Sequence, residues 1–296
     1  MKILTVSKKE LPLKEWIKRP ALESDFTTLI DESTTLVDET GKILVIYDQL
    51  GDDIDTKAVV EGLKHIKYQT GKRSRGLTST SRIFGYRPRN EMRQDYCSST
   101  SLSKEHPKEH ELVCRLAIQL EQYYKKYNPE GYEKHKAQTD GAVKDSWRMN
   151  KDSIFTSGII NKNNPLKYHH DTGNFTDVYS LMIVFKGGVE GGYLSLPEYG
   201  VGFKLPTNAI FMFDGQGILH GVTPIKYTSP QGYRFSMVYY TLKRMWQCLE
   251  ITEEIARIRE KKTERERTRL TVPLNEADAK LRETKRADLR NRIGKQ

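Results

Sequence analysis

Two adjacent histidines and an aspartate stand in the stretch KYHHDTGN, residues 167–174, of a chain with seven histidines in all. In an extended segment alternate side chains share a face. His169 and Asp171 therefore point together, and His170 points the other way. One imidazole and one carboxylate on one face are two of the three ligands of the facial triad that holds non-haem Fe(II) and leaves coordination positions open. The third ligand must come from a distant segment. His220, in FDGQGILHGVTPI, follows the strand-like run AIFMF and a Gly-rich turn, and Gly221 lets the backbone pass close to a site. Arg234 follows fourteen residues later and opens RFSMVYYT, where Arg234, Ser236, Val238 and Tyr240 share one strand face. A guanidinium there can clamp a carboxylate through two parallel hydrogen bonds. Ser236 adds a hydroxyl, and Asn161 is placed with them as a third co-substrate contact. The set matches 2-oxoglutarate, whose keto-acid end chelates iron and whose far carboxylate needs a fixed cation, with O2 as the oxidant. The remaining histidines, His65, His106, His110 and His135, lie in polar or helical settings and are assigned to the surface. Structural β-sandwich and cupin-type metal-binder readings are the alternatives.

The elements that must carry these residues are strands. From 154 to 244 the runs IFTSGII, VYSLMIVF, GGYLSLP, AIFMFD and YRFSMVYYTL are short, β-branched or aromatic, and separated by Gly, Pro, Asn and Asp. Such a series predicts a barrel or sandwich. Residues 109–127 predict a helix, with Leu112, Leu116, Leu120 and Tyr123 or Tyr124 at helical spacing as its core stripe. The fold class expected is α+β: a jelly-roll or cupin-like core, supporting helices and a basic helical C-terminal tail. Residues 1–75 are an N-terminal α/β support region, 76–248 the core, with its β-rich part mainly at 150–248, and 249–296 the tail.

The formal charge is +10, from 49 Lys and Arg against 39 Asp and Glu. That balance favours a polyanionic partner. Basic residues concentrate in 71–93, expected as an exposed loop or edge hairpin, with Lys72, Arg73, Arg75, Arg82, Arg87, Arg89 and Arg93. Residues 251–296 add fourteen Lys and Arg against nine Asp and Glu; a charged helix runs to Pro273 and a second basic helix follows. If this tail is an accessory arm, truncation before Thr252 weakens binding of the polyanionic partner and spares the core. Three cysteines, Cys97, Cys114 and Cys248, form no CxxC pair. So sparse and odd a set argues against a disulfide framework or zinc ribbon and for a reduced, intracellular protein. No run of eighteen apolar residues exists to span a membrane, and the N-terminus turns charged too early for a secretory signal.

On FTSGIINKNNPLKYHHDTGN, GGYLSLPEYGV, FDGQGILHGVTPI and YRFSMVYY the chain resembles the TET/JBP group of Fe(II)/2-oxoglutarate dioxygenases, which oxidise the methyl group of 5-methylcytosine or thymine in DNA. The likeness is nearest to the small phage-encoded branch and covers residues 80–248. It implies a double-stranded β-helix and a cytoplasmic location in a bacterial host if phage-encoded; the oligomeric state is left open, with a monomer favoured. It implies His169, Asp171 and His220 as iron ligands and Arg234 and Ser236 on 2-oxoglutarate. It also implies DNA as partner, with the target base flipped out of the duplex. Asn174, five residues after His169, is at the position of the group's base-bonding residue, and Tyr240 at that of its stacking aromatic. Arg82 or Arg87 either holds phosphate or reaches the base. Leu242 stands where methylcytosine oxidases of the group have a histidine that reads the base. That leaves thymine as the alternative to 5-methylcytosine. Two rivals remain: an oxygenase of the same fold acting on a protein side chain or small molecule, and a DNA-binding module with a decayed core.

Overall fold

The computed structural model describes residues 1–51, 54–72, 78–90, 96–271, 283–284 and 287. Its strands are β1 (Lys2–Thr5), β2 (Thr28–Ile30), β3 (Thr34–Val37), β4 (Ile43–Gln49), β5 (Gln69–Lys72), β6 (Thr78–Arg87), β7 (Ser98–Ser99) and β8 (Ser157–Lys162). They continue with β9 (Ser180–Gly187), β10 (Val189–Gly191), β11 (Leu194–Leu196), β12 (Val201–Phe203), β13 (Ala209–Phe213), β14 (Gly221–Val222), β15 (Ile225–Tyr227) and β16 (Tyr233–Tyr240). The helices are α1 (Leu13–Trp16), α2 (Lys57–His65), α3 (Ser101–Glu105), α4 (Pro107–Tyr127), α5 (Pro129–Ala142) and α6 (Ile251–Thr271).

Two sheets face each other. The larger runs β1-β3-β4-β13-β9-β16-β8-β6-β5, with β7 on the flank of β6, and the smaller runs β14-β11-β12-β2. The strand order is non-consecutive because the chain winds back and forth between the sheets, which is the jelly-roll arrangement expected. The N-terminal strands are built into this frame rather than standing apart: β4 pairs antiparallel with β13, and β2 pairs parallel with β12.

Period-two alternation divides the two cores. On β16, Phe235, Met237 and Tyr239 face the helices, joined by Leu181, Ile183 and Phe185 of β9. The opposite faces, through Met182, Val184, Phe211 and Phe213, meet Leu194, Leu196, Val201 and Phe203 of the small sheet. Helix α4 lies against the first face and buries Val113, Leu116, Ala117, Leu120 and Tyr124, close to the stripe expected. Its apolar face, rather than its charged remainder, makes it stable as a helix. Pro129 at the first turn and the Asn128 side chain, accepting from Gly131 N at 2.9 Å, start α5 without a break after α4.

Two expectations need correction, whereas segment 71–93 takes the edge-hairpin alternative where it is described: β5, the last strand of the large sheet, pairs antiparallel with β6. The segment's residues Arg73, Arg75 and Arg93 lie outside the described residues, as does most of the second basic helix expected after Pro273, of which 283–284 and 287 are described, as helical. Cys97 and Cys248 form a disulfide, against the expectation of none; 151 residues of sequence hid a pair that the fold places in one cluster with Trp147, Phe175 and Met245. His135, assigned to the surface, is fully buried, with Nε2 2.9 Å from Thr241 Oγ1.

Candidate active site

His169 and His220 meet across the mouth of the small sheet as an isolated antiparallel bridge. Each donates its backbone N–H to the other's carbonyl, at 2.9 and 3.1 Å. Directly opposed residues of such a pair project to the same side, and the imidazole centroids stand 4.4 Å apart. Each Nδ1 bonds a backbone carbonyl two residues earlier, Lys167 O at 2.7 Å and Ile218 O at 2.9 Å. A carbonyl only accepts, so Nδ1 carries the proton and Nε2 keeps its lone pair for a metal.

Asp171 completes the group. Its Oδ1 lies 3.8 Å from His169 Nε2 and 3.9 Å from His220 Nε2, and the three ligand atoms fall within 4.8 Å of one another. Gly215 makes this possible: a Cβ there would stand 2.3 Å from Asp171 Oδ2, while its carbonyl takes the Asp171 N–H at 2.8 Å. The loop before His220 is held by Glu198, buried, whose Oε2 accepts from Leu219 N at 3.0 Å and whose Oε1 meets Lys8 Nζ at 3.0 Å. Two imidazoles and one carboxylate on one side, with open space beyond, fit a non-haem Fe(II) centre.

A cavity of about 220 Å³ opens from the triad, walled by Asn161, Met182, Leu194, Ser236, Val238 and Tyr240 among others. The sequence-predicted face of β16 is thus the cavity face. Arg234 begins it, 1 % exposed, and its Nε and Nη2 have no hydrogen-bond partner among the described residues. Burial pushes its pKa down to about 10. Directly opposite on β9 is Lys186, whose pKa is lowered by burial and by the Arg234 charge. Like charges opposed on a sheet repel, and a buried cation without a counter-ion is costly. The arrangement demands an anion. Gly192, at φ +64°, leaves room for the Arg234 side chain itself: a Cβ there would stand 2.9 Å from Arg234 Cδ and Nε. The carboxylate end of 2-oxoglutarate fits this cradle. Lys186 was missed at the sequence level; the β9–β16 register needed to find it is a property of the fold.

The residues expected on the base side are not all brought together. Asn174, Tyr240 and Leu242 line the cavity, and Asn174 bridges Leu242 through the backbone. Asn174 Nδ2 donates to Ser180 Oγ at 2.7 Å, and Gln216 Nε2 donates to Asn174 O at 3.1 Å. Arg82 is elsewhere: it is 3 % exposed, bonded to Glu105 and to Lys67 O, and is no part of the cavity wall. It points away because its register partner Ile160 and its strand neighbour Phe84 lie on the helix-facing side of the sheet, whereas Asn161 of the cavity wall is opposite Ser81. Arg87, at the end of that strand, borders a second opening that shares Tyr240 and Leu242 with the cavity. His170, between two triad residues, is half-buried at the cavity edge, and burial lowers its pKa. Gly221 does not face the site; a Cβ there would meet Ala21 and the Tyr168 ring.

Comparison with known proteins agrees with this geometry. The Tet/JBP family, described as an oxygenase domain of the 2OGFeDO superfamily, matches residues 82–243. Thymine dioxygenase JBP1 of Trypanosoma brucei brucei is 32% identical over 146 residues, 49% of this chain and 17% of that protein. The bifunctional helicase and thymine dioxygenase JBP2 of Trypanosoma brucei brucei (strain 927/4 GUTat10.1) is 28% identical over 231 residues, 74% of this chain and 20% of that protein. The chain therefore spans a fifth or less of the length of these curated relatives. Among solved structures, NgTET1 in complex with 5mC DNA superposes with a TM-score of 0.57 at 16% identity, covering 86% of this chain and 90% of that one. At that identity the likeness establishes the fold, a double-stranded β-helix.

Proposed function

The chain belongs to the Tet/JBP family of 2-oxoglutarate- and iron-dependent oxygenase domains, and on that premise we propose that it hydroxylates the 5-methyl group of 5-methylcytosine in DNA. The observation that carries the oxygenase reading is Arg234, a buried guanidinium with two unpartnered nitrogens on the strand face that also walls the His169–Asp171–His220 cavity. His169, Asp171 and His220 would hold Fe(II), which with O2 and 2-oxoglutarate supplies the oxidising chemistry and yields succinate and CO2. Arg234, with Ser236 and Asn161, orients the co-substrate by its far carboxylate. Burial of that carboxylate excludes water and strengthens the ion pair. The protein's own task is then to place a methyl group. A stacked base cannot reach a recessed cavity, so the target is flipped out, with Tyr240 against its face and Asn174 at its edge.

The Asn174 amide serves either base: its partner Ser180 Oγ can donate or accept, so the amide can turn an acceptor to a 4-amino group or a donor to a 4-keto group. The second reading is thymine. Two observations favour it: both curated relatives named above are thymine dioxygenases, and aliphatic Leu242 occupies the place of a base-reading histidine. The test incubates the protein, Fe(II) and 2-oxoglutarate with methylcytosine DNA and with unmethylated DNA, followed by mass spectrometry of nucleosides. Hydroxymethylcytosine is expected. Hydroxymethyluracil with methylcytosine untouched moves the assignment to thymine. Succinate formation with no oxidised base, stimulated instead by a peptide or small molecule, overturns the DNA reading.

A further inference from the structure

The cavity wall does not end at Leu242. The chain continues into a tight turn, Lys243–Gln247, tied to the triad loop by Lys243 N donating to Gly173 O at 2.7 Å. Met245 plugs the turn into the disulfide cluster, 1 % exposed. Its neighbours are left outside. Arg244 is exposed, and Trp246 is 61% exposed, an indole that burial in the monomer would have favoured. Next to this turn opens a groove of about 230 Å³, and Tyr240 and Leu242 line both it and the metal cavity.

The groove carries charge of one sign. Arg87, Arg89 and Arg244 border it. Arg89 is neutralised, paired with the buried Glu254 at 2.6 Å. Among the described residues neither Arg87 nor Arg244 has a carboxylate partner. A chain of charge +10 thus sets two guanidiniums with no carboxylate partner among the described residues on the groove, and an exposed indole on the adjoining turn, next to the wall its substrate must pass.

We propose that this groove seats the DNA strand flanking the flipped nucleotide. Arg87 and Arg244 take phosphate oxygens, and Trp246 stacks on a base outside the cavity. The inference rests on the DNA reading above and adds to it the surface and the residues that hold the strand. Guanidinium–phosphate pairs are bidentate and fix register without reading sequence. An exposed indole offers a face on which any unstacked base can lie. The joint wall explains why both belong together: a nucleotide inserted past Tyr240 leaves its neighbouring phosphate over the groove.

The test uses the full chain and a fluorescently labelled methylcytosine duplex, read by anisotropy across a salt series. The Arg87→Gln, Arg244→Gln double variant is expected to bind more weakly and to lower the salt slope by about two charges. Trp246→Ala is expected to weaken binding roughly 5- to 100-fold, and Trp246→Phe to restore much of it. DNA should quench tryptophan emission in the parent and not in Trp246→Ala, because Trp147 is buried and Trp16 is covered by Tyr168 and Arg19. Thermal midpoint and iron content report that each variant is folded. Unchanged affinity and salt slope in folded variants overturn the proposal. So does loss of a dimer in Trp246→Ala with DNA binding intact, which would give the surface to a second copy. If no base is oxidised yet duplex binding still depends on these residues, the catalytic reading fails and the groove stands.

Discussion

Arg234 is the residue whose environment says most. It is buried without its counter-ion, so the protein without co-substrate bears a cost that the co-substrate removes. Arg234→Met is therefore expected to raise the thermal midpoint of the protein in the absence of 2-oxoglutarate. It should also abolish the further rise that 2-oxoglutarate gives the parent, which is about 2.7 kcal/mol at a hundredfold excess over Kd. A thermal-shift titration with a redox-inert divalent metal checks both signs, and a variant still stabilised by 2-oxoglutarate removes Arg234 from the site. The adjacent histidines give the complementary comparison. His169→Ala and His220→Ala should abolish iron retention, measured by elemental analysis, while His170→Ala keeps most of it. Equal loss at His169 and His170 would contradict the convergence of Nε2 atoms on Asp171. These residues were legible in the sequence because metal ligation constrains type and spacing together. Lys186, Gly192 and Gly215 were not, since each acts through a neighbour that only strand register or loop closure supplies.

At the scale of elements, two contacts decide how the frame holds the site. Glu121 of α4 is buried and bonds Ser153 Oγ and, at 3.3 Å, Ile154 N, joining the helix to the segment that leads into β8. Burial, opposed by these hydrogen bonds, pushes its pKa up to about 7. The folded protein then binds more protons than the unfolded chain between about pH 4.5 and 7. This contribution to stability is complete below the lower value and is lost as pH rises through the upper one, a difference on the order of 3 kcal/mol. Glu121→Gln, which keeps the volume and stays neutral, should flatten that part of the pH–stability profile in denaturant unfolding. A variant whose profile parallels the parent's across this window would contradict it. The second contact revises the tail. Glu254, in the first turn of α6, is 1 % exposed and accepts from Cys97 N, Leu249 N and Arg89. An accessory arm would not be fastened this way. Truncation before Thr252 leaves those donors without their acceptor, at about 1–3 kcal/mol for each buried group. It should lower the thermal midpoint and the DNA-independent turnover together, whereas a chain ending after Glu264 should keep both. Charge composition alone could not single out Glu254, because its burial against the Cys97 and Leu249 backbone is set by the fold.

For the whole molecule, the helix stripe, the alternating strands and the His169–Asp171 pair were readable from local pattern, since each repeats or constrains within a few residues, and His220 was reached from its place after a strand-like run and a Gly-rich turn. Other joins between distant parts were not. Cys97 and Cys248 looked unpaired because no spacing rule reaches across 151 residues. In the fold they lie beside Trp147, Val178 and Met245, with Tyr86 and Leu242 packed against the cluster. The bond closes a loop that contains α3 to α5 and strands β7 to β16. Such a crosslink acts chiefly by restricting the unfolded chain, and a loop of this length places its contribution in the range of about 2–5 kcal/mol. Reduction is accordingly expected to lower the thermal midpoint by on the order of 10 °C. Cys97→Ser should show the same lowered value and no further response to reductant, as required if the two perturbations remove one bond. The triad should survive both treatments at temperatures below the new transition. Its histidines are held by the His169–His220 backbone pair and by Nδ1 bonds to carbonyls, none of which involves the disulfide cluster. Iron content measured before and after reduction is the check, with a scan of unfolding in parallel. Loss of iron at a temperature where the reduced protein is still folded would show that the crosslink holds the metal site as well as the chain.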